Sequence, residues 1–148
     1  MIEVLSSTGH LISLAARGFA RLSESRLKPL GFGVGHLPVL VALQDGQVQS
    51  QRDLARFARI EQPTMAQMLD RMQRAGLICR TPDPIDRRSS QISLTEVVRT
   101  RLPEACEVLY QGNREALRGF TKADAGQLDI LLKRLIANLD LIALEEKS

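Results

Sequence analysis

Between Gln62 and Thr95 the chain changes its hydrophobic period twice with no long connector. Met65, Met68, Leu69 and Met72 fall at i, i+3, i+4 and i+7, a helical spacing that stops at Ala75-Gly76-Leu77. Two strand-like runs follow, Ile78 to Thr81 and Gln91 to Leu94, and between them stands Pro82-Asp83-Pro84-Ile85-Asp86-Arg87-Arg88-Ser89. A segment so rich in Pro and Asp cannot continue a helix, so the two runs read as a hairpin with a charged tip. Upstream, Ser50-Gln51-Arg52-Asp53 has the form of a capping box that opens a short helix, and Arg59-Ile60-Glu61 is a tight turn before the next one. Two short helices joined by a few residues, the second rich in Gln, Thr and Arg and followed at once by a hairpin, have the layout of a winged helix-turn-helix.

These residues are similar to the multiple-antibiotic-resistance-regulator (MarR) family of transcription factors. The likeness is carried by Asp53-Leu54-Ala55, Pro63-Thr64, Asp70-Arg71-Met72, Gly76-Leu77-Ile78, Arg80, Asp83-Pro84-Ile85-Asp86-Arg87-Arg88 and Leu94-Thr95-Glu96, in the family's order and spacing. The Asp-Arg-Arg wing followed by Leu-Thr is its specific part; Val97-Val98 departs from it, since members usually carry Gly there. The resemblance implies one mainly α unit with a small β-wing over residues 1–148. Residues 31–95 would be the DNA-binding winged module, and residues 1–30 and 96–148 the helices through which two copies interlock. It further implies that Arg88 enters the minor groove, that Asp86 is the carboxylate holding it, and that Arg87 touches phosphate.

The rest of the chain reads as helices without repeats. Ser6, Ser7 or Thr8 caps a helix predicted to reach about Lys28, with Leu11, Ile12, Ala15, Phe19, Leu22 and Leu27 at helical spacing; Pro29-Leu30-Gly31 stops it. Val34 to Leu43 is predicted as the next helix, closed by Asp45-Gly46. After Thr95 a helical period returns, with Pro103 inside it predicting a kink. Thr121 and Asp124 form a second capping box, opening a last helix striped by Leu128, Leu131, Leu132, Leu135, Leu139 and Ile142. That stripe, together with Leu11 on the first helix, is more apolar surface than a small winged module can cover, so a homodimer is expected; an intrachain bundle is the alternative.

Charge follows the same division. Residues 1–49 carry a formal +1, residues 50–101 carry +4, and residues 102–148 carry −2, which places the positive charge on the winged region. Most of the basic residues are Arg, whose planar fork matches phosphates and guanine edges, although a compositional habit of the genome would give the same excess.

With Met65, Met68, Leu69 and Met72 inward, the other face of the second short helix holds Gln62, Pro63, Thr64, Gln67, Arg71 and Arg74. Gln67 can pair bidentately with adenine, Arg71 with guanine or phosphate, and Thr64 with a phosphate or a thymine methyl. Competing roles are an ion pair for Arg71 and helix capping for Gln62 and Thr64.

An enzyme is not expected, because His10, His36, Cys79 and Cys106 stand in no spacing that makes a metal site or a nucleophile-base pair, and no cofactor motif occurs. No apolar run approaches the roughly 20 residues that span a membrane, and two cysteines without a leader segment suggest a reducing cytoplasm. The family likeness implies a small aromatic or phenolic effector in a crevice between the dimer helices and the winged module. His10, Phe32, His36 and Tyr110 are the candidate lining residues, each equally readable as core or surface. Redox sensing through Cys79 or Cys106, or a protein-interaction module built on a degenerate winged helix, are the alternatives.

Overall fold

The computed structural model describes residues 1–46 and 49–148, with Val34 described by its backbone alone. Its helices are α1 (Thr8–Leu27), α2 (Leu37–Asp45), α3 (Gln51–Ala58), α4 (Gln62–Arg74), α5 (Glu96–Ala116) and α6 (Lys122–Glu146), with strands β1 (Ile78–Pro82) and β2 (Ser90–Leu94) between α4 and α5. The fold class is therefore the expected one, mainly α with a two-stranded antiparallel wing. The chain divides into two compact units, residues 1–112 and 113–148.

The first unit is built around an aliphatic core. Leu27, Leu37, Val39, Leu40, Leu54, Met65, Leu69, Met72, Val98 and Leu102 have almost no exposure, and no polar or charged residue is buried among the described residues. α2 packs on α3 and on β2, α3 on α4, and α4 on β1, so the core joins every element of the winged module. Burying each such side chain contributes roughly 1.5–3 kcal/mol, enough to hold a module with no disulfide.

Local chemistry explains the element ends. Ser7, in extended backbone, is the N-cap of α1, and a 3₁₀ turn over Ile2–Ser6 that sequence reasoning did not foresee precedes it. At the other end a 3₁₀ turn over Lys28–Leu30 runs into Gly31, whose φ of +86° only glycine adopts without strain. The amide of Phe32 then donates to the carbonyl of Leu27 at 3.2 Å, which closes the helix end and turns the Phe32 ring into the core. The helix expected from Val34 begins instead at Leu37, after a 3₁₀ turn over Val34–His36. The reason is Pro38: in a continuous α-helix its ring would collide with the carbonyl four residues earlier, that of Val34.

α5 starts at Glu96, undisturbed by Val97-Val98, and remains helical through Pro103, which sits on its exposed face. In the second unit, Thr121 and Asp124 form the expected capping box: the Asp124 amide donates to Thr121 Oγ1 and the Thr121 amide to Asp124 Oδ2, both at 3.0 Å. No residue of α6 is buried; Leu132 and Leu135 are half-buried, and Leu128, Leu131, Leu139 and Ile142 are exposed.

Candidate nucleic-acid interface

The turn between α3 and α4 fixes how α4 is presented. Ser50 Oγ accepts from the Asp53 amide at 3.1 Å, capping α3 as its sequence predicts. α3 ends on Arg59 in the left-handed conformation, φ +56° and ψ +43°, and the Ile60 amide donates to Ala55 at 3.0 Å. A non-glycine residue there costs about 1–2 kcal/mol, which the partly buried Ile60 helps to offset. The chain then reverses, and α4 begins with Glu61 as N-cap and Pro63 in its first turn, where a missing amide is harmless. Because Glu61 holds the cap position, the capping alternative for Gln62 and Thr64 falls away.

α4 divides into two faces. Met65, Met68, Leu69 and Met72 are buried, while Gln62, Pro63, Thr64, Gln67, Arg71 and Arg74 are all exposed. Arg71 has no carboxylate partner among the described residues; the ion pair goes to its neighbour Asp70, whose Oδ1 lies 2.9 Å from Arg80 Nη1 on β1. Arg74 Nε donates to the Asp70 carbonyl at 3.4 Å, at the helix end where a cation also complements the helix dipole.

The wing is tied to α4 at its base and stiffened at its tip. β1 and β2 pair in the register Ile78↔Leu94, Arg80↔Ile92 and Pro82↔Ser90, with Ile78, Ile92 and Leu94 buried. Gly76, with φ +75°, turns the chain out of α4, and Thr95 Oγ1 donates to the Gly76 carbonyl at 2.7 Å, closing the hairpin base on the helix terminus. The Ile92 amide donates to the Gln49 carbonyl at 2.8 Å, so the segment before α3 also braces β2. At the tip, Asp83 Oδ1 accepts from the amides of Ile85 at 2.8 Å and Asp86 at 3.3 Å. Asp86 Oδ1 accepts from the Arg88 amide at 3.0 Å. Asp86 thus holds Arg88 by its main chain, leaving the exposed guanidinium free to reach outward. Arg80, Arg87 and Arg88 line a groove of about 370 Å³ along this hairpin.

Sequence reasoning missed the Asp70–Arg80 pair and the Thr95 hydroxyl as the groups that tie the wing to α4, and the Gln49 carbonyl as the brace of β2 from the segment before α3. Asp70, Arg80 and Thr95 were visible as members of the family pattern, but nothing local indicated that Asp70 faces Arg80.

The four candidate crevice residues are dispersed in environment. Phe32 is a core residue at 4% exposure, His10 and His36 are half-buried, and Tyr110 on α5 is exposed. His36 Nδ1 accepts from the Gly33 amide at 3.2 Å. Burial, and secondarily the nearby Arg71 guanidinium, push its pKa below the ordinary value, so the neutral ring that accepts this bond is favoured. Cys79 is exposed on β1; Cys106 is half-buried, and burial raises its pKa, which disfavours the reactive thiolate. No helix of the described residues is long and apolar enough to cross a membrane, and no three His, Cys, Asp or Glu among them are grouped to hold a metal.

Two helices, a fixed turn and a braced hairpin define a winged helix-turn-helix of the type found in transcriptional regulators. Residues 35–90 match the MarR family. The fold extends beyond that segment. A MarR transcriptional regulator from Methanosarcina mazei Go1 superposes with a TM-score of 0.80 at 23% identity over 90% of this chain and 96% of that one. A mutant MarR from E. coli, solved in complex with operator DNA, gives 0.79 at 23% identity, covering 86% and 91%. A SlyA-like transcription regulator from Listeria monocytogenes gives 0.78 at 24% identity, covering 86% and 85%.

Proposed function

We propose that this protein is a sequence-specific double-stranded DNA-binding regulator, a homodimer that represses transcription from a palindromic operator. The observation that carries this reading is the split character of α4. One face is buried in Met and Leu; the other offers Gln62, Thr64, Gln67 and Arg71, the last with no carboxylate partner among the described residues, beside a wing tip that presents Arg87 and Arg88. An α-helix of this kind fits the major groove, with its N-terminal residues nearest the base edges. Gln67 then reads adenine, Arg71 reads guanine or a phosphate, and Arg74, at the far end of the helix, is left to phosphate. The E. coli structure solved with operator DNA shares this fold, which supports duplex DNA as the partner.

The division of labour is that residues 31–95 read DNA while residues 1–30 and 96–148 dimerise through Leu11 and the α6 stripe. A two-fold axis then sets two α4 helices about one DNA turn apart. Repression follows where that operator overlaps a promoter. A small aromatic acid or phenol that binds near His36, on the 3₁₀ turn between α1 and α2, releases the DNA by favouring another spacing of the two α4 helices; DNA and effector weaken each other reciprocally.

Electrophoretic mobility shift with duplexes selected by the protein from a random pool tests the reading. A single shifted species, a selected palindrome and a two-to-one protein-to-duplex stoichiometry are expected; no enrichment over random sequence would refute it. Titrating that complex with aromatic acids and separately with peroxide tests the effector. Release by peroxide alone, abolished by Cys79→Ser or Cys106→Ser, would replace the ligand by redox sensing.

A further inference from the structure

The wing tip carries one side chain that the polar reading of the interface leaves unused. Ile85, in the loop between β1 and β2, is 95% exposed, whereas Ile78 and Ile92 on the strands are each 2% exposed. The backbone beneath it is nonetheless fixed. Its amide and that of Asp86 both donate to Asp83 Oδ1, at 2.8 and 3.3 Å, the Asp83 amide donates to the Ser89 carbonyl at 3.1 Å, and Pro84 before it has its φ locked by its ring. A β-branched aliphatic side chain therefore stands in water at the apex of a loop whose next residues, Asp86, Arg87 and Arg88, are also exposed, with Asp86 Oδ1 accepting from the Arg88 amide.

That arrangement matches the chemistry of one surface. The minor groove of DNA is electronegative along its floor and walled by the C–H edges of deoxyribose, and proteins that enter it combine Arg with apolar side chains such as Ile and Leu. A protein partner is a poorer match, because Ile85 is a single apolar group beside two unpaired cations rather than part of an apolar patch. We infer that Ile85 enters the minor groove beside Arg88 and packs on the deoxyribose walls, giving the wing a contact that does not depend on salt. This rests on the DNA-binding reading above.

The two contributions separate by salt. Each phosphate neutralised by a cation makes the slope of log affinity against log salt more negative by about 0.9, whereas an apolar contact releases no counterion. The experiment is fluorescence anisotropy of the full chain on the pool-selected duplex at several salt concentrations, with hydroxyl-radical footprinting of the same complexes. Ile85→Ser is expected to weaken binding about tenfold with the salt slope unchanged and to open the flanking minor-groove sugars to cleavage; Ile85→Val is expected to retain binding. Arg88→Ala should flatten the slope. Thermal unfolding should be unaffected, since the side chain is 95% exposed. Parental affinity and footprint in Ile85→Ser would overturn the inference, as would a loss that flattens the slope as Arg88→Ala does. Failure of the parent to select any duplex would instead remove the DNA-binding reading, and this inference with it.

Discussion

α4 and α6 are both striped with apolar residues at helical spacing, yet the chain treats the two stripes in opposite ways. In α4 the stripe of Met65, Met68, Leu69 and Met72 is buried without remainder, which releases the opposite face for polar work. In α6 no residue is buried, and Ile130, Leu131, Ile136, Leu139, Leu141, Ile142 and Leu144 keep between 43% and 64% of their surface exposed. A helical stripe is a demand for a partner surface, and this chain meets the first demand internally while leaving the second open. At about 25 cal/mol per Å² of apolar area, the open stripe is a large reserve of association energy. We therefore assign it to a second copy of the chain.

The largest effects should come from reversing the two stripes. Leu135→Glu places a charge in the middle of the α6 stripe; an unpaired buried charge costs several kcal/mol, on the order of a thousandfold in the dimerisation constant. Sedimentation should show monomers and DNA affinity should fall with them, while an intact dimer would mean that the stripe faces elsewhere. Leu69→Ala attacks the buried stripe instead. A cavity in so tightly enclosed a core should cost about 2–5 kcal/mol, read as a lower urea midpoint with the oligomeric state retained. If both substitutions shifted assembly and stability alike, the distinction between the two helices would be lost.

Smaller effects sharpen the exposed face. Arg88→Ala should weaken DNA binding by about 1–3 kcal/mol, chiefly at A·T-rich flanks, with folding unchanged. Arg74→Ala should weaken all sequences alike, by about 1 kcal/mol or less, and flatten the salt slope. The smallest change concerns His36. Its pKa is lowered in the fold, so the unfolded chain takes up the proton first: the stability it confers is complete above its ordinary value of 6.5 and is lost as pH falls from there through the folded pKa. His36→Gln should flatten that part of the stability profile; an unchanged profile would mean that the ring does not titrate with folding.

What could be read from the sequence was what local chemistry decides. The inward face of α4, the caps at Ser50 and Thr121, the turn at Arg59 and the strand pair around the wing each depend on residues a few positions apart, and each was found where expected. α2 starts at Leu37 rather than at Val34 because, in a continuous helix, the ring of Pro38 would meet the carbonyl of Val34, a clash that the apolar pattern does not register. The braces of the wing were illegible for another reason. Asp70 meets Arg80, Thr95 meets Gly76 and Gln49 meets Ile92 only after the hairpin has folded back on α4, and no periodicity encodes such meetings. Phe32 could equally be core or crevice from sequence; the positive φ of Gly31 decides for the core.

In the proposed complex α4 and the wing tip act together on one DNA face, once per subunit of a dimer. Hydroxyl-radical footprinting of the parent on its selected duplex tests it most directly. Two symmetric protected half-sites are expected, their centres about one helical turn apart, roughly 10 base pairs, each with a flanking minor-groove protection from the wing. Protection of a single isolated half-site by a monomer, or half-sites without minor-groove flanks, would contradict it.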